Sequence, residues 1–205
     1  MARLKSGPTP AMAAHDLEHI AGLFERLGLG RFTRTMRPPA LWAAYVCVNG
    51  FISVGLLALL AFFTQVPFVF PSLGPTAYEV FFRPRSQAST PHNALIGHLI
   101  GIVCGYAAFR LLHVPAGISV ESAVFGWRAA VAAALSVGAT AGLMILLNAS
   151  HPPAGATTLI VALGIITKPA YLAVIELAVL LLIVQAFCVN RFAGLPYPVW
   201  KSGSP

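Results

Sequence analysis

Two short segments carry the residue types that could do chemistry in this chain. One reads Phe70-Pro71-Ser72-Leu73-Gly74-Pro75-Thr76, the other His151-Pro152-Pro153-Ala154-Gly155-Ala156-Thr157, and both contain Pro-x-x-Gly-x-Thr. Proline removes a backbone donor and clashes with the preceding turn, so neither segment is helical from end to end. Each is read as the non-helical entry to a short helix. A helix start presents unpaired N–H groups and the positive end of the helix dipole. Two such starts facing one cavity bind a small anion without a fixed positive side chain. The expected binding surface is Ser72, Leu73, Gly74, Pro75 and Thr76 on one side and residues 151–158 on the other. That second side is His151, Pro152, Pro153, Ala154, Gly155, Ala156, Thr157 and Thr158, with the Ser and Thr hydroxyls as further donors. A single segment of this kind is more simply a kink between packed helices. The matched pair favours a site.

Polar residues inside apolar runs are the next candidates. His98 lies in one long run, His151 opens the second Pro-x-x-Gly-x-Thr segment, and Glu176 lies in the last run. Ionisable groups are costly in a membrane and mark ion or proton paths. Imidazole titrates near neutral pH, so His98 and His151 are the expected proton-coupling or gating residues. Their plainer readings are a ring held by a backbone carbonyl and a helix-end cap. Asn93, Asn148 and Glu176 are supporting polar residues, and Asn49 suits helix–helix bonding. Gly97, Gly101 and Gly105 recur every fourth residue, a spacing that lets another helix come close. Cys47, Cys104 and Cys188 lie in apolar runs without metal-ligand spacing, so no metal or cofactor is expected.

The elements that must position these residues are membrane helices. Of 205 residues, 58% are hydrophobic and only 9% charged, against roughly 25% charged in an ordinary soluble domain. Runs 41–63, 93–112, 127–147 and 170–190 each approach the ~20 apolar residues a spanning helix needs. The stretches 66–82 and 152–167 are shorter and open with prolines. Before them, residues 1–14 read as disordered. Residues 15–29 read as an amphipathic helix with Leu17, Ile20, Phe24 and Leu27 on one stripe and His15, Asp16, Glu18 and Glu25 off it. That helix suits a membrane interface, a partner subunit or its own bundle. The net charge of +7 is spread along the chain, which fits membrane loops better than a nucleic-acid patch.

The order span, interrupted segment, span occurs twice, and Ser53-Val54-Gly55 recurs as Ser136-Val137-Gly138. We expect an all-α membrane protein, a helical bundle of two pseudo-symmetric repeats near 41–112 and 123–190. Interrupted segments that cross give six crossings and inverted repeats. Segments that dip and return give four spans and parallel repeats. The charges leave both open, and the recurrence of broken helices in inverted-repeat transporters favours six.

Ser150-His151-Pro152-Pro153-Ala154-Gly155-Ala156-Thr157 closely resembles the signature of the HPP family of small membrane proteins. Gly74-Pro75-Thr76-Ala77 and Pro91-His92-Asn93 leading to Gly97-His98 agree with it. The resemblance covers about residues 40–190. It implies a transporter of nitrite or a similar small inorganic anion, because plant plastid and cyanobacterial relatives are associated with nitrite transport. The chain departs in carrying His92 where relatives often have Arg, which bears on strict nitrite selectivity. The expected organisation is a cytoplasmic segment 1–38, a transmembrane domain 39–192 and a tail 193–205. The expected setting is a bacterial inner membrane, with a lipid bilayer, a small anion and protons as partners, and a homo-oligomer. A passive channel for a small solute is the alternative. An intramembrane hydrolase using Ser72 or Ser150 is disfavoured, because no Gly-x-Ser-x-Gly context is present.

Overall fold

The computed structural model describes residues 14–33, 35–117 and 126–201. The expectation of disorder for residues 1–14 falls outside them except at Ala14, which opens the first helix. Among the described residues the chain is helical, without strands: α1 Ala14–Arg26, α2 Gly30–Thr33, α3 Pro38–Thr64, α4 Leu73–Phe82, α5 Pro91–Leu111, α6 Trp127–Leu146, α7 Ala154–Ala162 and α8 Pro169–Phe192. α3, α5, α6 and α8 have 27, 21, 20 and 24 residues and are long and apolar enough to cross a membrane.

Local sequence explains where they start and stop. α3, α5 and α8 open with proline in the first turn, where no intrahelical donor is needed. Thr90 caps α5 by accepting the Asn93 N–H. Gln65, at φ 56°, ends α3, and Asn148, at φ 50°, turns the chain just past the end of α6. Asn148 is exposed, so its visible role is this turn.

The outside of the bundle is more apolar than parts of its inside. Phe51, Phe62, Phe63 and Ile145 are 68–80% exposed, while α3 buries Asn49 and Ser53 and α6 buries Ser136 and Thr140. Water as solvent would reverse that arrangement. Hydrocarbon permits it, because apolar faces cost nothing there and polar groups must bond within the protein.

Contacts fix the direction of every pass. Asn190, near the end of α8, accepts from the Tyr45 hydroxyl near the start of α3 and donates to the Val80 carbonyl near the end of α4. Tyr197, after α8, donates to the Ser89 carbonyl just before α5. These ends therefore share one face of the bundle, the near end. At the far end the Gly117 N–H, beyond α5, donates to the Gly164 carbonyl beyond α7. Ala132 of α6 packs with Ala108 and Val114. The chain thus runs up α3, down through 65–72 and α4, up α5, down α6, up through 147–153 and α7, and down α8.

α1 packs on its own bundle. Ile20 and Leu23 join the main core beside Trp42 and Ala193. Two stripe assignments need correction: Leu27 is exposed, and Asp16 is buried at 3% exposure. Asp16 is buried because it pairs with Arg85, whose side chain is 44% exposed. Removing the arginine strands a buried carboxylate, whereas Asn at 16 keeps a polar group at that position. Arg85→Ala should therefore lower the unfolding free energy by about 1–3 kcal/mol, more than Asp16→Asn does. Thermal unfolding of both variants in detergent checks the order.

Candidate functional site

The two broken passes meet where their helices begin. α4 starts at Leu73 and runs to the near end, and α7 starts at Ala154 and runs to the far end. Side chains link their first turns, Thr157 to Ser72, while α7 packs along α5. His98, seven residues into α5 and so about 10 Å from its start, joins them. Ser72, Thr76, His98, His151 and Thr157 are all fully buried.

Their polar atoms form one connected cluster. His98 Nδ1 is 2.7 Å from Thr157 Oγ1, and His98 Nε2 is 3.1 Å from Thr76 Oγ1. Thr157 donates to Ser72 Oγ at 2.7 Å, and Thr76 donates to the Ser72 carbonyl at 2.8 Å. His151 Nε2 lies 3.3 Å from Thr76 Oγ1, and its Nδ1 donates to the Ala88 carbonyl at 2.7 Å. The rings of His98 and His151 are 5.1 Å apart.

Hydrogen supply limits this cluster. Each hydroxyl has one proton, and a neutral imidazole has one. A carbonyl only accepts, so His151 Nδ1 carries a proton. Thr76 then faces the Ser72 carbonyl and two imidazole nitrogens with a single hydrogen of its own. With both rings neutral and the His98 proton on Nε2, the contacts around Thr76 are one hydrogen short, and a proton on His151 Nε2 closes that gap. Several hydrogen arrangements of nearly the same heavy-atom geometry are therefore available, which is what a proton-accepting relay needs.

α5 holds this geometry through its glycines. A Cβ on Gly97 would lie 2.8 Å from His151 Cβ, on Gly101 2.8 Å from the Ala154 carbonyl oxygen, and on Gly105 2.6 Å from that of Thr158. The whole second broken pass leans on a groove that only glycine leaves open.

Other expected site residues are distributed differently. Leu73, Pro153 and Ala154 are buried, Gly155 and Ala156 half-buried, and Gly74, Pro75 and Pro152 exposed. Asn93 donates to the Ser150 carbonyl and so fixes the turn into His151. Thr158 faces away from the histidines and bonds Thr140 of α6 at 3.0 Å. Glu176 is apart from the cluster: it lines a groove between α5 and α8 with Leu95, Leu99 and Leu180, and its Oε2 is buried without a partner. The helix starts are also less open than expected. The N–H groups of Ala154, Gly155 and Ala156 donate to the carbonyls of His151, Pro152 and Pro153, and that of Leu73 to Phe70. Tight first turns satisfy them locally, so the hydroxyls and imidazoles are the prominent polar groups here.

Two participants were missed from sequence. Thr140 was legible as part of the buried stripe Ala132, Ser136, Thr140, Met144 at four-residue spacing. The Ala88 carbonyl was not, because nothing in Gln87-Ala88-Ser89 marks which backbone oxygen a distant histidine meets.

The comparisons agree with this architecture. The chain matches the HPP transmembrane region over residues 32–198 and belongs to that family. It is an integral membrane protein. It is similar to two transmembrane proteins of Dictyostelium discoideum, at 28% identity in each case. The matches cover 85% and 75% of this chain but 61% and 49% of theirs, so the chain spans about half to three-fifths of those relatives. No solved structure matches it.

Proposed function

We propose that this HPP-family chain carries a small inorganic anion across the bilayer together with a proton, with nitrite the first substrate to test. One observation carries the reading: the helix starts of two broken passes, from two halves of the chain, meet in a fully buried hydroxyl–imidazole cluster. Irregular backbone at membrane depth survives only where protein or a wet path covers it. Paired broken helices at one level are a plan for alternating access. In this reading the passes are six membrane crossings and the halves are inverted repeats. The near end bears Arg26, Arg31, Arg37, Arg83, Arg85, Arg191 and Lys201, the far end Arg110, Arg128 and Lys168. That excess supports a cytoplasmic near end, with α1 on that side.

The described conformation is the closed one, with the cluster's donors turned on each other. An anion enters by separating the first turns of α4 and α7 and taking over those donors. The hydrolase alternative draws no support from Ser72, whose Oγ accepts from Thr157 and, among the described residues, meets no imidazole.

Uptake by purified protein in liposomes, screened over nitrite, nitrate, formate, bicarbonate and chloride, tests the reading. Saturable flux of at least one anion that responds to an imposed proton gradient supports it. Flux of none of them above empty liposomes ends it. A variant adds to the screen. No atom lies within 4 Å of a Cβ placed on Gly155, so Gly155→Val should fold and melt close to the parent. It should nonetheless lose most uptake, because the added side chain fills the open space beside the first turn of α7. Normal uptake by a folded Gly155→Val protein would remove that surface from the path.

A further inference from the structure

A second site lies outside the hydroxyl–imidazole cluster, and it does not depend on the transport reading. At the near end, α1 crosses over α3 and α8 and leaves a groove of about 460 Å³ between them. Its walls are apolar: Phe24 and Leu27 from α1, Val48 and Ile52 from α3, and Phe192 from α8. Leu27, Val48, Ile52 and Phe192 remain 46–63% exposed, so the groove is open along its length. The Asn49 side chain on its floor turns its amide N–H back to the Tyr45 carbonyl.

The mouth carries a fixed cation. Arg26 donates through Nε to the Gly22 carbonyl, which seats its guanidinium 6.0 Å from the centre of the Phe192 ring. The terminal nitrogens of an arginine are suited to bidentate phosphate binding. Arg191 sits one residue before Phe192, over the Phe187 ring. Glu18 and Glu25 on α1 are exposed and partly offset this charge. An apolar trough ending under an arginine, at the end of a membrane bundle where headgroups lie, matches one kind of occupant. We infer that this groove binds one anionic phospholipid, an acyl chain along Val48 and Ile52 and its phosphate on Arg26. The consequence reaches the cluster, because α1 is tied through Asp16 to Arg85, three residues before the carbonyl that holds His151.

The test is native mass spectrometry of the full chain in detergent. The protein is incubated with equal amounts of phosphatidylglycerol and phosphatidylcholine bearing the same acyl chains. The parent should retain one phosphatidylglycerol in preference, by about fivefold for one basic residue near an anionic headgroup. Arg26→Gln, an exposed change, should erase the preference while lipid is still retained. Cys188→Trp, which puts an indole into the groove, should lose the retained lipid. Equal retention of the two lipids by the parent overturns the inference, and so does a preference that survives Arg26→Gln. A Cys188–Cys188 crosslink between two chains in a Cys47→Ala background also overturns it, since a second copy then fills the groove.

Discussion

A Gly105→Val protein is expected not to accumulate as a folded species, and Gly105→Ala to fold with a clear loss of stability. The reason lies in the seam between α5 and α7, which run parallel with backbone against backbone. A methyl on Gly105 would stand 2.6 Å from the Thr158 carbonyl oxygen and 3.0 Å from Val161 Cβ. Neither neighbour is the end of a flexible side chain, so α7 as a whole has to move. Overpacking of this kind costs about 1–3 kcal/mol, and a branched side chain falls beyond that range. The displacement also acts at a distance from residue 105. Thr157 sits on α7, so pushing α7 off α5 stretches its 2.7 Å contact with His98 and opens the cluster. Gly138→Ala and Gly142→Ala are the controls: nothing lies within 4 Å of a Cβ at either. There alanine gains about 0.5–1 kcal/mol of helix preference. Melting in detergent reads all of these, and a Gly105→Ala protein that melts with the controls would falsify the tight seam.

The same glycines show what was legible in the sequence. Their four-residue spacing announced a close approach, but the partner could not be read, since spacing belongs to one helix and contact to two. The spanning helices were placed within three residues of their observed ends at every boundary, because length, hydropathy and leading prolines are local signals. The doubled Pro-x-x-Gly-x-Thr pointed to the segments whose first turns meet. The expected role of their backbone N–H groups did not carry over, because tight turns at Pro152 and Pro153 engage those donors within the chain. Asp16 was placed with the polar residues of α1 for a similar reason. A helical wheel records that a side chain is charged, and cannot record that Arg85, 69 residues away, arrives to pair with it. Glu176 was grouped with the histidines as another polar residue inside an apolar run, yet it faces a groove of its own. Sequence distance from the cluster says nothing about which side of α8 a residue takes.

His151→Gln is expected to transport with a flattened pH dependence, and Thr76→Val to separate the two histidines. In the parent, Thr76 is the single hydroxyl between His98 Nε2 and His151 Nε2. One added proton completes the contacts around it, so protonation tightens the closed arrangement and proton loss loosens it. Transport that depends on this step should change with pH, because imidazole takes up and gives back a proton. Glutamine at 151 offers an N–H toward the Ala88 carbonyl but does not titrate, so uptake by His151→Gln should persist while losing its slope with pH. Valine at 76 keeps the shape and removes the shared hydroxyl. It leaves both imidazole nitrogens without that partner in a fully buried place, which costs about 1–3 kcal/mol. Its expected signature is a lower rate and a pH slope no steeper than that of His151→Gln. Empty liposomes supply the background at each pH, because the neutral acid of a weak anion crosses lipid unaided. His98→Gln belongs in the same series, since His98 contacts both helix starts and its loss should lower the rate as well as the slope. Parent-like rates and pH profiles in all three variants, with the proteins folded, would leave these histidines as packing elements and remove the proton from the mechanism.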